Sequence, residues 1–212
     1  MAGVVNQGQF VERPAIIAVG DCVLDGLWYR GAARPPLLIL PPPANQGSMQ
    51  HPVLAELAWA AATSGFPTLR FDFRGVGASQ GAPAGPAQRL TDAEAALRLL
   101  EENTGVARAA VASFGASAET LVALHRLHPS IAGLCFVSPT GLSTSELALL
   151  PVPVIAIMGE RDGSIAPTAL AAAISEACGQ LEIIPAADRN FDRNLPEVGK
   201  ALVRWLLQLR PP

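Results

Sequence analysis

Short apolar runs alternate along the chain with stretches whose apolar residues recur every three or four positions. The first two runs, residues 15–19 and Cys22–Tyr29, flank Gly20-Asp21 and predict a β-hairpin at one edge of a sheet. Leu37–Leu40 is apolar throughout, as a strand covered on both faces requires. It stops at Pro41-Pro42-Pro43, which has no N–H to continue a ladder. Between residues 51 and 64, Leu54, Leu57, Ala58 and Ala61 fall at helical spacing and Gly65 ends the helix. Residues 67–73 form the next strand. Thr91-Asp92-Ala93-Glu94 has the form of a capping box for a helix turning Leu97 and Leu100 inward. The alternation then continues with a strand at 107–112, a helix at 116–128, and strands at 131–137 and 152–158. A helix follows between Pro167 and Gly179, then a strand at 181–184. A last helix carries Val198, Leu202, Trp205, Leu206 and Leu209 on one face.

A hairpin followed by repeated β-α units implies an α/β fold with a mostly parallel central sheet and helices on both faces. No repeat, low-complexity tract or linker interrupts the pattern, so residues 1–212 are read as one domain. Ligands bind such sheets beyond the C-terminal ends of the strands. That directs attention to the loops after Leu40, Phe73, Ala112, Met158 and Ile184. Only residues 139–151 separate two of the strands, too few for a helical lid, so an open, shallow site is expected.

Composition narrows the partners. Half of the 212 residues are apolar, 16% are charged and the net charge is −3, without a basic tract to follow a phosphate backbone. Nucleic acid is therefore not an expected partner. The first six residues lack the basic and apolar segments of a leader, and no apolar run reaches the ~18 residues of a membrane span. A cytoplasmic protein without a membrane partner is expected. Cys22, Cys135 and Cys178 are scattered and show no CxxC spacing, so they read as reduced thiols. Neither a metal nor a cofactor is expected.

The candidate chemistry begins at Ala112-Ser113-Phe114-Gly115-Ala116, where a strand passes into a helix with no intervening loop. A serine on so sharp a turn presents its hydroxyl outward, and the Phe114 amide would face a developing oxyanion. The pattern approximates G-x-S-x-G with Val111 in place of the first glycine. A serine in this position also serves simply as a helix N-cap. Ser117, four residues further on, is less well placed.

The neighbouring sequence gives that motif a context. Thr68-Leu69-Arg70-Phe71-Asp72-Phe73-Arg74-Gly75-Val76-Gly77-Ala78-Ser79-Gln80-Gly81 resembles the α/β-hydrolase superfamily, especially its small lidless bacterial members related to dienelactone hydrolases. Residues 46–53 resemble that family's entry to the first helix and residues 159–167 its acid loop, and the likeness runs from about Leu37 to the last helix. The resemblance implies Asp162 as the acid, with Glu160 as the alternative carboxylate. It implies a second oxyanion donor near Ala44 or Asn45, because the prolines at 41–43 have no N–H. Asp72 and Arg74 are expected to tie their glycine-rich loop by hydrogen bonds.

At the position of the family's histidine, in Pro185-Ala186-Ala187-Asp188-Arg189-Asn190-Phe191, stands Arg189. Arginine stays protonated and has no acceptor lone pair, so it cannot act as a general base. Of the three histidines, His51 borders the site and is the conceivable surrogate; His125 and His128 are read as a solvated helical face. Three functions follow. The first is a degenerate serine hydrolase that binds a small, possibly anionic ligand, with Arg189 paired to Asp162 beside Ser113. The second is a carboxylic-ester or acyl hydrolase with a relocated base such as His51. The third is a non-catalytic protein-interaction module.

Overall fold

In the computed structural model, which describes residues 11–177 and 179–209, the hairpin is formed by β1 (Arg13–Val19) and β2 (Cys22–Tyr29). Their alternation of buried and exposed residues turns Ala15, Ile17, Val19 and Leu24 to one face. β3 (Leu37–Leu40) and β4 (Thr68–Phe71) are buried at every position, consistent with helices on both sides. They are followed by β5 (Ala110–Phe114), β6 (Gly133–Val137), β7 (Val154–Gly159) and β8 (Gln180–Ile184). The eight strands are ordered β1-β2-β4-β3-β5-β6-β7-β8. β2 pairs antiparallel with β1 and β4, and every pairing from β4 to β8 is parallel. The residues before 11 and Cys178 lie outside the described part, and with them the reading of the first six residues and of the third thiol.

Two cores flank the sheet. On one side α1 (Pro52–Thr63) and α6 (Leu195–Gln208) bury Leu54, Leu57, Leu202 and Trp205 against Ile39, Ala112 and Ile157. On the other, α2 (Pro86–Thr104), α3 (Ala118–Leu127) and α5 (Pro167–Glu176) cover Leu38, Val111 and Phe136. Burial of these apolar side chains is the main stabilising term. The glycine-rich loop after β4 is tied as expected. Asp72 Oδ1 accepts from the Met49 N–H at 2.6 Å, and Arg74 pairs with the fully buried Asp92 at 2.5 Å.

Three features differ from expectation. α2 starts at Pro86, so Thr91 lies inside the helix, where its hydroxyl donates to the Ala87 carbonyl at 3.2 Å. Proline is pre-organised for a first helical turn and outranks the internal capping pattern. The capping box is instead at α4 (Thr144–Ala148), where Ser143 and Glu146 cap one another. This single short helix is all the regular structure between β6 and β7, and no lid domain is present. Lastly, β5 runs on to Phe114 and so takes Ser113 into the strand. No helix among the described residues is long and apolar enough to cross a membrane.

Candidate functional site

The sharp turn at the end of the central strand falls on Gly115, not Ser113. Ser113 sits in β5 with Leu40 on one side and Phe136 on the other, and is 1% exposed. Its hydroxyl, buried on the α2/α3 face, has no hydrogen-bond partner among the described residues. Gly115 follows the strand with φ +64°, and a short 3-10 turn over Gly115–Ser117 leads into α3. The turn is pinned from both sides. The Thr140 N–H donates to the Gly115 carbonyl at 3.1 Å, and the Ser117 hydroxyl donates to the Pro41 carbonyl.

The expected outward-pointing Ser113 is thus corrected by the strand register. Ser113-Phe114-Gly115-Ala116-Ser117 fits the elbow pattern in a second frame, with small residues flanking a central Gly115. Small residues on both sides of Gly115 were the available signal. The oxyanion reading shifts with the frame. Phe114 is a strand residue paired with Val137, and Ala116 is the residue after Gly115 within the turn. Ala44 lies exposed in a turn closed by the Gln46 N–H to the Pro43 carbonyl at 2.8 Å.

Two side chains converge over Gly115. A Cβ there would lie 3.0 Å from Arg189 Nη2 and 3.3 Å from Gln46 Oε1. The guanidinium therefore occupies the space in front of the turn where a side chain at position 115 would begin. The Arg189 guanidinium carbon is 5.9 Å from the centroid of the Phe114 ring, and the His51 ring packs 4.5 Å from the same ring. His51 caps α1, its Nδ1 accepting from the Val53 N–H at 3.3 Å. In the neutral ring this leaves the proton on Nε2. Burial holds the imidazole below the usual histidine range; the Asp192 carboxylate opposes that shift and the Arg189 charge adds to it. Ser113 and Phe114 project to opposite faces of β5, so His51, stacked on Phe114, is across the sheet from Ser113. It cannot serve that hydroxyl as a base.

Asp162 follows β7 and is 4% exposed. Oδ1 accepts from the Ser164 N–H at 3.0 Å, whereas Oδ2 is buried without a partner among the described residues. The expected Arg189–Asp162 ion pair is not formed, because the arginine extends over Phe114 and Gly115 instead. Glu160 is spent elsewhere, accepting the Ala186 N–H at 2.7 Å and lacing the loop after β7 to the loop after β8. The Ser138 hydroxyl, donating to the Arg189 carbonyl at 3.0 Å, holds that second loop against the end of β6. His125 also departs from expectation: it is 5% exposed, not solvated, and its Nδ1 has no partner among the described residues. No group of histidines, cysteines and carboxylates among the described residues could hold a metal ion.

No protein-family model matches the chain. An uncharacterised protein of Rickettsia prowazekii, RP471, is 27% identical over 82% of this chain and 79% of its own length. Among solved structures, ATU1826, a protein of unknown function from Agrobacterium tumefaciens, superposes with a TM-score of 0.79 at 23% identity. That match covers 94% of this chain and all of the other. XC6422 of Xanthomonas campestris, described as an α/β serine hydrolase without a lid, matches with a TM-score of 0.78 at 19% identity over 95% and 96% of the two chains. Est1E of Butyrivibrio proteoclasticus, solved with ferulic acid bound, matches with a TM-score of 0.77 at 17% identity over 92% and 98%. The chain has the α/β-hydrolase fold in its lidless form.

Proposed function

We propose that this protein is a non-hydrolytic relative of the serine hydrolases whose elbow binds a small carboxylate-bearing molecule through Arg189. One observation carries the reading: the elbow turn is made by a glycine, and a guanidinium lies over it. The turn then offers no nucleophile, and arginine supplies no base. Hydrolase sites stripped of triad members retain only about 10³–10⁴-fold acceleration over water, too little for a dedicated esterase. The same features suit binding. Arginine's planar fork matches a carboxylate in bidentate geometry. Phe114 gives an apolar floor, and His51 Nε2–H is a neighbouring donor. Est1E, which shares the fold, binds ferulic acid, a small aromatic acid, and this supports a ligand of that class.

The test uses ferulate and an activated ester. Wild type is expected to bind ferulate by calorimetry, and Arg189→Ala to weaken it about tenfold or more, the loss of a charge-assisted contact. Wild type should not turn over p-nitrophenyl acetate beyond the background of the protein surface. Gly115→Ser with Arg189→His supplies a hydroxyl at the turn and an imidazole in place of the guanidinium, with Asp162 as the acid, and this double variant should gain esterase activity. Adding Asp162→Asn should remove most of that gain. Wild-type turnover equal to that of the double variant would show a working hydrolase and sink the proposal.

A further inference from the structure

At the opposite end of the sheet from Gly115, three arginines surround one groove. Its volume is about 460 Å³, and Arg13, Arg30, Arg34, Trp28 and Asn103 contribute to its walls. The register explains the convergence. Arg13 pairs directly across the hairpin with Trp28, and both lie on the α2 side of the sheet, in line with Ala15 and Gly26. The last turn of α2 forms the facing wall through Asn103 and Thr104. The segment bearing Arg30 and Arg34 is fastened to the loop before β4. The Ala33 N–H donates to the Gly65 carbonyl at 2.9 Å, and a Cβ on Gly31 would meet that carbonyl at 2.3 Å.

One of the three cations has a structural task. Arg34 donates to the carbonyls of Ala32, Ala33 and Thr104, each at 3.3 Å, and so complements the negative end of α2. Among the described residues Arg13 and Arg30 have no ion pair and no side-chain hydrogen bond, and no carboxylate lines the groove. Three like charges around one concavity repel each other, in a chain whose net charge is −3. An anion between them removes that repulsion. The volume lies within the range of small-molecule sites, and the indole supplies a flat apolar wall beside the charges.

We infer that this groove is a second binding site, for a small soluble molecule carrying a diphosphate or a comparable multiply charged phosphate group, held by Arg13 and Arg30 beside Trp28. It is independent of the proposal for Gly115 and Arg189.

Inorganic pyrophosphate is the probe, titrated into the full-length protein against sodium chloride of equal ionic strength. Saturable binding is expected with a Kd below about 1 mM, seen as a rise in Tm and a change in tryptophan fluorescence. Trp28→Phe should abolish the fluorescence change. Arg13→Ala and Arg30→Ala should each weaken binding about tenfold, the usual loss for one charge-assisted contact. Arg34 is left intact because it caps α2, and Arg189→Ala should bind pyrophosphate like wild type, which separates this site from the elbow. Three results overturn the inference. They are no saturable binding, binding undiminished in both arginine variants, and tighter binding of duplex DNA or anionic vesicles through the same arginines.

Discussion

Ser113 and Gly115 stand two residues apart, and the step from strand to turn between them decides which could carry chemistry. The Ser113 side chain leaves the sheet on the face covered by α2 and α3, level with Leu40 and Phe136, so its hydroxyl is sealed in the core. A buried hydroxyl without a partner contributes nothing to stability and costs its desolvation. Ser113→Ala is therefore expected to leave stability within about 1 kcal/mol of wild type or raise it, measured by urea unfolding. The same substitution should leave kcat/KM unchanged in the Gly115→Ser/Arg189→His background. A loss there as large as that from Asp162→Asn would return Ser113 to the reaction. Gly115 itself is held by its positive φ, a conformation costing an ordinary residue about 1 kcal/mol or more. The Gly115→Ser parent should thus be somewhat less stable than wild type and still fold, since the atoms its Cβ meets are the ends of two flexible side chains.

The ends of β6, β7 and β8 form the frame that sets Arg189 in place. The hydrogen bonds from Ala186 to Glu160, Arg161 to Ala187 and Ser138 to Arg189 draw three loops together. Close approach depends on Gly159, the last residue of β7, where a Cβ would lie 2.4 Å from the Asp188 carbonyl oxygen and 2.5 Å from that of Ala187. Those atoms are backbone and cannot swing aside. Gly159→Ala should destabilise the protein by about 2 kcal/mol or more through overpacking and weaken ferulate binding by displacing the loop of Arg189. Gly163, a few residues on, has open space around its Cβ position, so Gly163→Ala is the control and should change neither quantity. Equal Tm values for the two variants would show that the loops are not packed as described.

For the molecule as a whole, two half-buried or buried imidazoles shape the response to pH. Burial lowers the pKa of both His51 and His125, and Asp192 partly opposes the shift at His51. A histidine whose folded pKa lies below its unfolded value adds stability above the unfolded pKa, and that stability is lost as pH falls. The unfolded chain binds the proton more readily, so ΔG of unfolding should decline from about pH 7 toward pH 5. Glu56, Asp72 and Glu101 act in the opposite sense, since burial raises each carboxyl pKa. Their contribution is present at low pH and is lost as pH rises through the carboxylate range, below the histidine window. His125→Leu fills the same buried place without a titrating group, and urea unfolding across pH should show a shallower decline for it than for wild type. A profile identical to wild type would assign the decline to other groups.

How much of this was legible along the chain varies with how local the cause is. The alternation of apolar runs and helical stripes gave the hairpin, the parallel strands and the two helix layers, because side-chain period follows from backbone geometry alone. The inability of Arg189 to act as a base follows from the guanidinium itself. The elbow could not be settled in the same way. Ser113-Phe114-Gly115-Ala116-Ser117 admits two frames, and only pairing with Leu40 and Phe136 fixes which residue is still strand and which turns. The partner of Arg189 was likewise undecided. The guanidinium lies by the Phe114 ring and the Gly115 turn, a placement that depends on how the loop after β8 packs against β5. The groove of Arg13, Arg30 and Arg34 joins the hairpin to the far end of α2, residues that the sequence keeps some 70 positions apart (Arg34 to Thr104). Sequence dictates what each residue can do chemically and which local form it prefers. Register and the packing of distant segments decide which groups meet.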